Sequence, residues 1–452
     1  MSTASTRREI APTDYNFRFR DCLIGAQMLF VAFGALVLVP LLTGLDSNVA
    51  LFTAGVGTLL FQVCTRGKVP IFLASSFAFI APIIYGVQTW GMAQSLGGLV
   101  CSGLVYFLLS GLIRWRGTDV VLRVLPPIVT GPVIMVIGLI LAPVAVHMAL
   151  GKTGDGAVVL VPENTALWIS MTSLAVTVLV SLLGKGFLRL MPILCGIAAG
   201  FIVSMFFGVG DWTKVAATPW LQMPSFTFPE FAWEPILFIM PITLAPAIEH
   251  FGRCCRHQLH YRARLPERSR RSRHHVWAMA LPPWLPVLWV ARPCTTYAEV
   301  IGAVSLTRVF NPAVMTWAAM CSILLSFVAK IGAFLGSIPV PVMGGIMILL
   351  FGAIMVVGLN TLVRAGKDLM EPRNMIIVAL IIIFGVGGMQ FSIGSFKLGG
   401  IGLAAVTGVL LNCCCPEAAL DTELSARIFV RFALIRRGIW LILPDPFSMR
   451  FG

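Results

Sequence analysis

Thirteen apolar stretches, each a candidate to cross a lipid bilayer, dominate the chain: about 22–44, 48–65, 71–86, 92–113, 124–147, 165–183, 190–208, 233–251, 295–308, 312–336, 338–360, 374–389 and 398–413. The hydrocarbon layer is roughly 30 Å thick and holds no water, so a backbone inside it must close its own hydrogen bonds, which a helix does within one segment. Composition leaves no soluble alternative. Over 452 residues the chain is 58% hydrophobic and only 12% charged, with mean hydropathy +0.91, too little polar surface to close a water-soluble globule. The fold class expected is an all-α polytopic membrane protein.

The N-terminus opens polar and basic, with Arg7, Arg8, Arg18 and Arg20. It lacks the apolar core and small-residue cleavage site of a secretory signal, so the first span is expected to be retained. Cys22, Cys64, Cys101, Cys195 and Cys321 fall inside apolar segments, where thiols pack as small hydrophobes, and no disulfide spacing appears.

Lys and Arg concentrate in cytoplasmic connections, so they test the count of spans. Arg66 and Lys68 follow the second stretch, Arg114, Arg116 and Arg123 the fourth, Lys185 and Arg189 the sixth, Arg253 the eighth. That alternation predicts a cytoplasmic N-terminus and puts Gly252 on the cytoplasmic side. Arg308 and then Arg364, Lys367 and Arg373 also read as cytoplasmic, with Lys330 and Lys397 alone in outer loops. An even number of crossings must separate Gly252 from Arg308, yet only 295–308 is visible. Parity therefore asks for a missing span within 253–293, and fourteen in all.

Two segments break the pattern. "VPIFLASSFAFIAP" (69–82) and "PCTTYAEVIGAVSLTR" (293–308) are short, opened by proline and rich in Ser, Thr and Gly. Irregular backbone at membrane depth is tolerated only where it lines a cavity, and interrupted segments at matching positions of two halves point to a transporter's midplane site. With the missing span restored, each is third in its half. Carboxylates sharpen the pattern: Glu249, in "LAPAIEHFG", ends the eighth stretch, and Glu299 lies in the second interrupted segment. A carboxylate at the centre of a span costs about 2.5–3.5 kcal/mol on insertion scales, so it is functional by default. The bland alternative, snorkelling to the interface, fits Glu249 better than Glu299.

"ASSFAFIAP", "IEHFG", "TTYAEVIGAVSLTR", "IPVPVMGGIMILLFG" and "FGALVLVPLLTGLD" resemble the uracil permease branch of the nucleobase-ascorbate transporter (xanthine/uracil permease) family, from about residue 15 to 412 apart from 253–275. The resemblance implies fourteen transmembrane segments in two inverted seven-span repeats, with spans three and ten each part strand, part helix, meeting at the substrate. It further implies nucleobase uptake coupled to protons, with uracil as the expected substrate, xanthine or urate as the runner-up, and no enzymatic activity. Glu249 and Glu299 match the family's substrate-contacting glutamates and carry the expected proton coupling; Phe77 matches the aromatic that packs on the base. Tyr297 and Ala298 match the strand whose backbone faces the ligand, and Gly302, Thr307 and Arg308, with Glu299, match the signature ending span ten. Met28, Ala74, Val300 and Arg253 depart from residues common in the family.

The chemistry of the ligand agrees. A uracil ring offers two N–H donors and two carbonyl acceptors, so its site needs carboxylates, free backbone N–H groups and an aromatic face. A carboxylate taken out of water holds its proton more tightly, which links proton occupancy to substrate binding.

The expected organisation is a cytoplasmic arm (1–21), a first repeat (22–208), an outer loop (209–232), a second repeat (233–413) with 253–293 anomalous, and a cytoplasmic tail (414–452). The expected setting is the inner or plasma membrane, multi-pass, with both termini cytoplasmic. Expected partners are a small nucleobase and the bilayer, with a homodimer allowed. No cofactor is expected beyond the proton as coupling ion.

The anomaly begins with "RCCRHQLHYRARLPERSRRSRHH", residues 253–275, where eight arginines and four histidines stand in an apolar chain. A cytoplasmic basic loop is one reading, and with it a membrane protein that does not transport but recruits acidic partners. Pro282, Pro283 and Pro286 make the following stretch, 276–292, a poor continuous span. Nucleic acid and metal are disfavoured: no folded scaffold surrounds the arginines, and Cys254, Cys255, His257 and His260 lack the spacing of a tetrahedral zinc site. "GKT" at 151–153 has Val146 where a phosphate loop needs its first glycine, which disfavours an ATP-driven pump. A fourth reading is translation in the wrong frame. Suitable codons for Arg253 to Leu259, read one base later, spell valine, valine, alanine, alanine, isoleucine and serine, and continue into a loop like the family's. Further one-base shifts, after Val276 and before Cys294, recover a span nine and rejoin "TTYAEV". The tail from "NCCCPE" onward admits either a similar origin or a cytoplasmic extension with an interfacial helix.

Overall fold

The computed structural model describes residues 15–65, 67, 70–116, 124–186, 188, 191–210, 213–244, 246–247, 294–296, 300, 303–304, 307, 309–393 and 396–415. The first apolar stretches become α1 (Asp21–Thr43) and α2 (Ser47–Cys64). Between them Gly44, at φ 71°, closes α1 by donating its N–H to the Pro40 carbonyl, a left-handed C-cap that glycine adopts without strain. Asp46 then opens α2 by accepting from the Asn48 N–H at 2.8 Å. The third stretch is no continuous helix: it divides into β1 (Leu73–Ser75), a single 3-10 turn (Phe77–Phe79) and α3 (Ile80–Trp90).

Uninterrupted helices follow as α4 (Met92–Arg116), α5 (Pro127–Ala149), α6 (Glu163–Leu183) and α7 (Pro192–Phe206). Proline opens α5 and α7 at a position where its missing N–H is no loss. A five-residue helix, α8 (Thr213–Ala217), lies in the expected outer loop, and α9 (Trp233–Ile242) begins the eighth stretch. Beyond the anomalous region stand β2 (Cys294–Thr296), α10 (Ala313–Ser326), α11 (Ala329–Gly336), α12 (Val340–Val363), α13 (Pro372–Val386) and α14 (Gly400–Cys414).

Two expectations need correction. The stretch 312–336 divides at Phe327–Val328, where Val328 pairs with Leu221 of the outer loop. That pairing diverts backbone groups from the helix ladder, and it puts Lys330 inside α11 with its Nζ 4.5 Å from the centre of the Trp220 ring. Lys397, expected in a loop, belongs to β4 (Phe396–Gly399), which pairs antiparallel with β3 (Gln390–Ile393). The anomalous run 253–293 and the tail from 416 lie outside the described residues.

By their contacts the helices form two groups. One gathers α1, α2, α3, α4, α9 and α10, with β1 packed on α1 and α2 and carrying β2; the other joins α5, α6, α7, α12, α13 and α14. The most extensive seam, in the second group, runs between α5 and α12. A Cβ on Gly344 would sit 2.2 Å from the Ala149 nitrogen, and one on Gly138 would sit 2.6 Å from the Phe351 carbonyl oxygen. Glycine is required there because lipid gives helices no hydrophobic reason to associate, and close backbone packing replaces it. Across the same group, Ser173 donates to the carbonyls of Gly196 and Val342 at 3.0 and 3.1 Å.

Candidate functional site

The two interrupted segments meet. β1 and β2, from opposite halves of the chain, pair antiparallel with Leu73 opposite Thr296, Ala74 opposite Thr295 and Ser75 opposite Cys294. Leu73, Ala74 and Ser75 are buried. Strands this short leave most of their backbone groups to other partners, and α2 supplies one. The Thr58 hydroxyl accepts from the Leu73 N–H at 2.9 Å and donates to the Leu73 carbonyl at 3.3 Å.

After β1 the chain turns into the 3-10 helix through Ser76, whose backbone is extended (φ −82°, ψ 131°) and whose carbonyl accepts from the Phe79 N–H. Serine at such a position normally caps the helix that follows. Here it makes no cap, and its Oγ, on a residue 2% exposed, has no hydrogen-bond partner among the described residues. A buried hydroxyl without a partner costs on the order of 1–3 kcal/mol, so the arrangement favours anything that completes the bond. Phe77 follows at 7% exposure, its ring edge-on to Phe351 of α12, with centroids 6.3 Å apart at 81°. The aromatic thus faces the second helix group from the first.

On the second segment, Thr307 donates to the Ala303 carbonyl at 2.7 Å, a bond within its own turn. Val300, Ala303 and Val304 are buried. Met28 and Ala74, like Val300 departures from common family residues, are fully buried. Of the expected site residues the structure describes Phe77 and Thr307; Glu249, Tyr297, Ala298, Glu299, Gly302, Arg308 and the departing Arg253 lie outside the described residues. Among the described residues no three His, Cys, Asp or Glu side chains gather as metal ligands would.

Reading by residue type overlooks Ser76, Thr58 and Phe351. Ser76 stands in a quoted motif, and its signal is a serine opening a helix without an acidic or amide residue three positions on. Thr58 and Phe351 carry no such signal, since each looks like an ordinary apolar-helix residue.

The sequence profile described as the Permease family matches residues 20–394. A "Probable uracil permease" of Haemophilus influenzae is 49% identical over 410 residues, covering 90% of this chain and 97% of that protein. The "Uracil permease" of Bacillus caldolyticus is 39% identical over 404 residues, covering 87% and 91%, and that of Escherichia coli K12 36% over 411 residues, covering 90% and 94%. Among solved structures, the transmembrane domain of the cyanobacterial bicarbonate transporter BicA superposes with TM-score 0.57 at 13% identity, covering 88% of this chain and 99% of that one. SLC26A9 gives 0.59 at 11% identity, covering 87% and 64%. Those two likenesses show a shared fold, and the profile and the relatives settle the assignment: the chain belongs to the xanthine/uracil permease family.

Proposed function

We propose that this chain carries uracil across the cytoplasmic membrane together with a proton. The observation that carries this function is the pairing of β1 with β2, which ends next to a buried hydroxyl, Ser76, with no partner among the described residues, and an aromatic face, Phe77. Uracil is planar and has two donors and two acceptors. Phe77 stacks on the ring, Ser76 bonds a ring carbonyl, and Glu249 and Glu299 accept from the two N–H groups. The backbone at Tyr297 and Ala298 supplies the remaining donors. The relatives named as uracil permeases support uracil over a purine.

Proton coupling falls to the two glutamates. A carboxylate out of water is costly when charged, so one glutamate takes up a proton as the nucleobase binds, still accepting an N–H through its carbonyl oxygen, and gives the proton up as the nucleobase leaves on the cytoplasmic side. The antiparallel pairing of two matching broken segments supports fourteen spans in two inverted repeats, because a two-fold axis in the membrane plane reverses chain direction. The distribution of Lys and Arg supports cytoplasmic termini in the inner membrane. Thr307, bonded within its own turn, shapes the end of the second segment with Gly302 and Arg308 instead of meeting the base. Transport requires no cofactor beyond the proton and no metal.

Uptake of radiolabelled uracil into cells lacking their own permease tests this directly. Accumulation that collapses with a protonophore is expected. No accumulation despite membrane insertion would favour a transport-inactive chain, with 253–293 out of frame, and accumulation of xanthine or urate instead would move the substrate to the purines. Glu299→Gln is expected to abolish proton-driven accumulation; unchanged uptake would remove Glu299 from the mechanism.

A further inference from the structure

We infer that Thr58 is a positioning residue for the nucleobase site, an inference that rests on the function proposed above. Threonines in a helix ordinarily turn their hydroxyls back to the preceding turn of the same helix. Thr53 does so in α2, bonding the Ala50 carbonyl, and Thr65, just beyond its end, bonds the Phe61 carbonyl at 2.8 Å. Thr58 instead reaches off α2 and engages both backbone groups of Leu73, with both residues fully buried. Every second residue of an antiparallel strand turns its N–H and C=O away from its partner strand. Thr58 therefore holds the edge of β1 that β2 does not.

The same helix is fixed on another side. A Cβ on Gly55 would sit 2.7 Å from the Ala319 carbonyl oxygen, and Ser322 of α10 donates to the Leu51 carbonyl at 2.7 Å. α10 is the helix that follows the second broken segment. α2 is thus a common frame, docked to α10 through Gly55 and Leu51 and to β1 through Thr58. Ser76 and Phe77 lie three and four residues beyond Leu73, so the place of the hydroxyl and the ring is set by how firmly Leu73 is held. Replacing Thr58 with valine keeps the shape and leaves two buried backbone groups of Leu73 without that partner.

The test is uracil uptake as a function of concentration, with the amount of inserted transporter and the melting temperature of the purified protein measured alongside. Thr58→Val is expected to raise KM about tenfold, as loss of one buried hydrogen-bond partner at a binding site does. Maximal rate per inserted transporter should change less than KM, and Thr58→Ser should return KM to near that of the unaltered chain. A Thr58→Val protein that melts lower yet keeps the original KM would show a purely structural brace and overturn the inference. Should Thr58→Val not insert, Thr58→Cys, a weaker hydrogen-bonding group, is expected to raise KM a few-fold, and an unaltered KM there overturns it equally. Absence of uracil uptake by the unaltered chain strikes the underlying function, and this inference with it.

Discussion

The seam between α5 and α12 and the β1 strand at its junction with β2 are both buried, and they are held in opposite ways. Along the seam two helices press backbone to backbone, with Gly344 and Gly138 where any side chain would collide with the neighbouring helix. At the junction three residue pairs and one threonine hold two ends of broken helix together, and the Ser76 hydroxyl is left without a partner among the described residues. The seam has no room for a side chain at either glycine, so it serves as a frame. The junction has polar capacity to spare, and that is what a site for a small polar heterocycle needs.

The contrast is open to attack at both ends. The largest effect is expected at the seam: Gly344→Leu must push α5 and α12 apart, at more than about 3 kcal/mol, the upper end of ordinary overpacking penalties. Loss of monodisperse, membrane-inserted protein on size-exclusion chromatography checks this, and a well-behaved variant would show that the seam is slack. Next comes Phe77→Ala at the junction. Stacking of a base on an aromatic ring is worth on the order of 1–3 kcal/mol, so KM for uracil should rise at least about fivefold, and Phe77→Tyr should recover most of it. The smallest effect separates the two regions most cleanly. Ser76→Ala removes a hydroxyl that bonds nothing among the described residues, so melting temperature should hold or rise slightly. Uracil KM should nonetheless rise a few-fold; a drop in stability without a change in KM would make Ser76 a structural residue.

Much of the frame is legible in the amino-acid order, because long apolar stretches have one stable form in lipid. The expected stretches 22–44, 48–65 and 165–183 reappear as Asp21–Thr43, Ser47–Cys64 and Glu163–Leu183. Legible too are the two broken segments, since proline, serine and threonine interrupt the apolar pattern at 69–82 and 293–308. The break at Phe327–Val328 is not, for no proline or glycine marks it and its cause is a distant loop residue, Leu221. Neither is the hairpin of β3 and β4, where an apolar approach to α14 conceals a strand pair. At the site, Phe77 is identified by its motif, whereas Thr58 stays hidden because its partner lies fifteen residues on across a turn. The roles proposed for Glu249, Tyr297, Ala298 and Glu299 rest on the family resemblance, and their test is functional.

The most direct measurement is a cryo-electron microscopy map of the protein purified with saturating uracil. The proposed function predicts planar density stacked on Phe77, with a ring carbonyl within hydrogen-bond reach of Ser76 Oγ and the opposite edge toward Glu299, beside paired β1 and β2. Uracil bound away from that junction, or the two strands separated with Phe77 facing lipid, would contradict it.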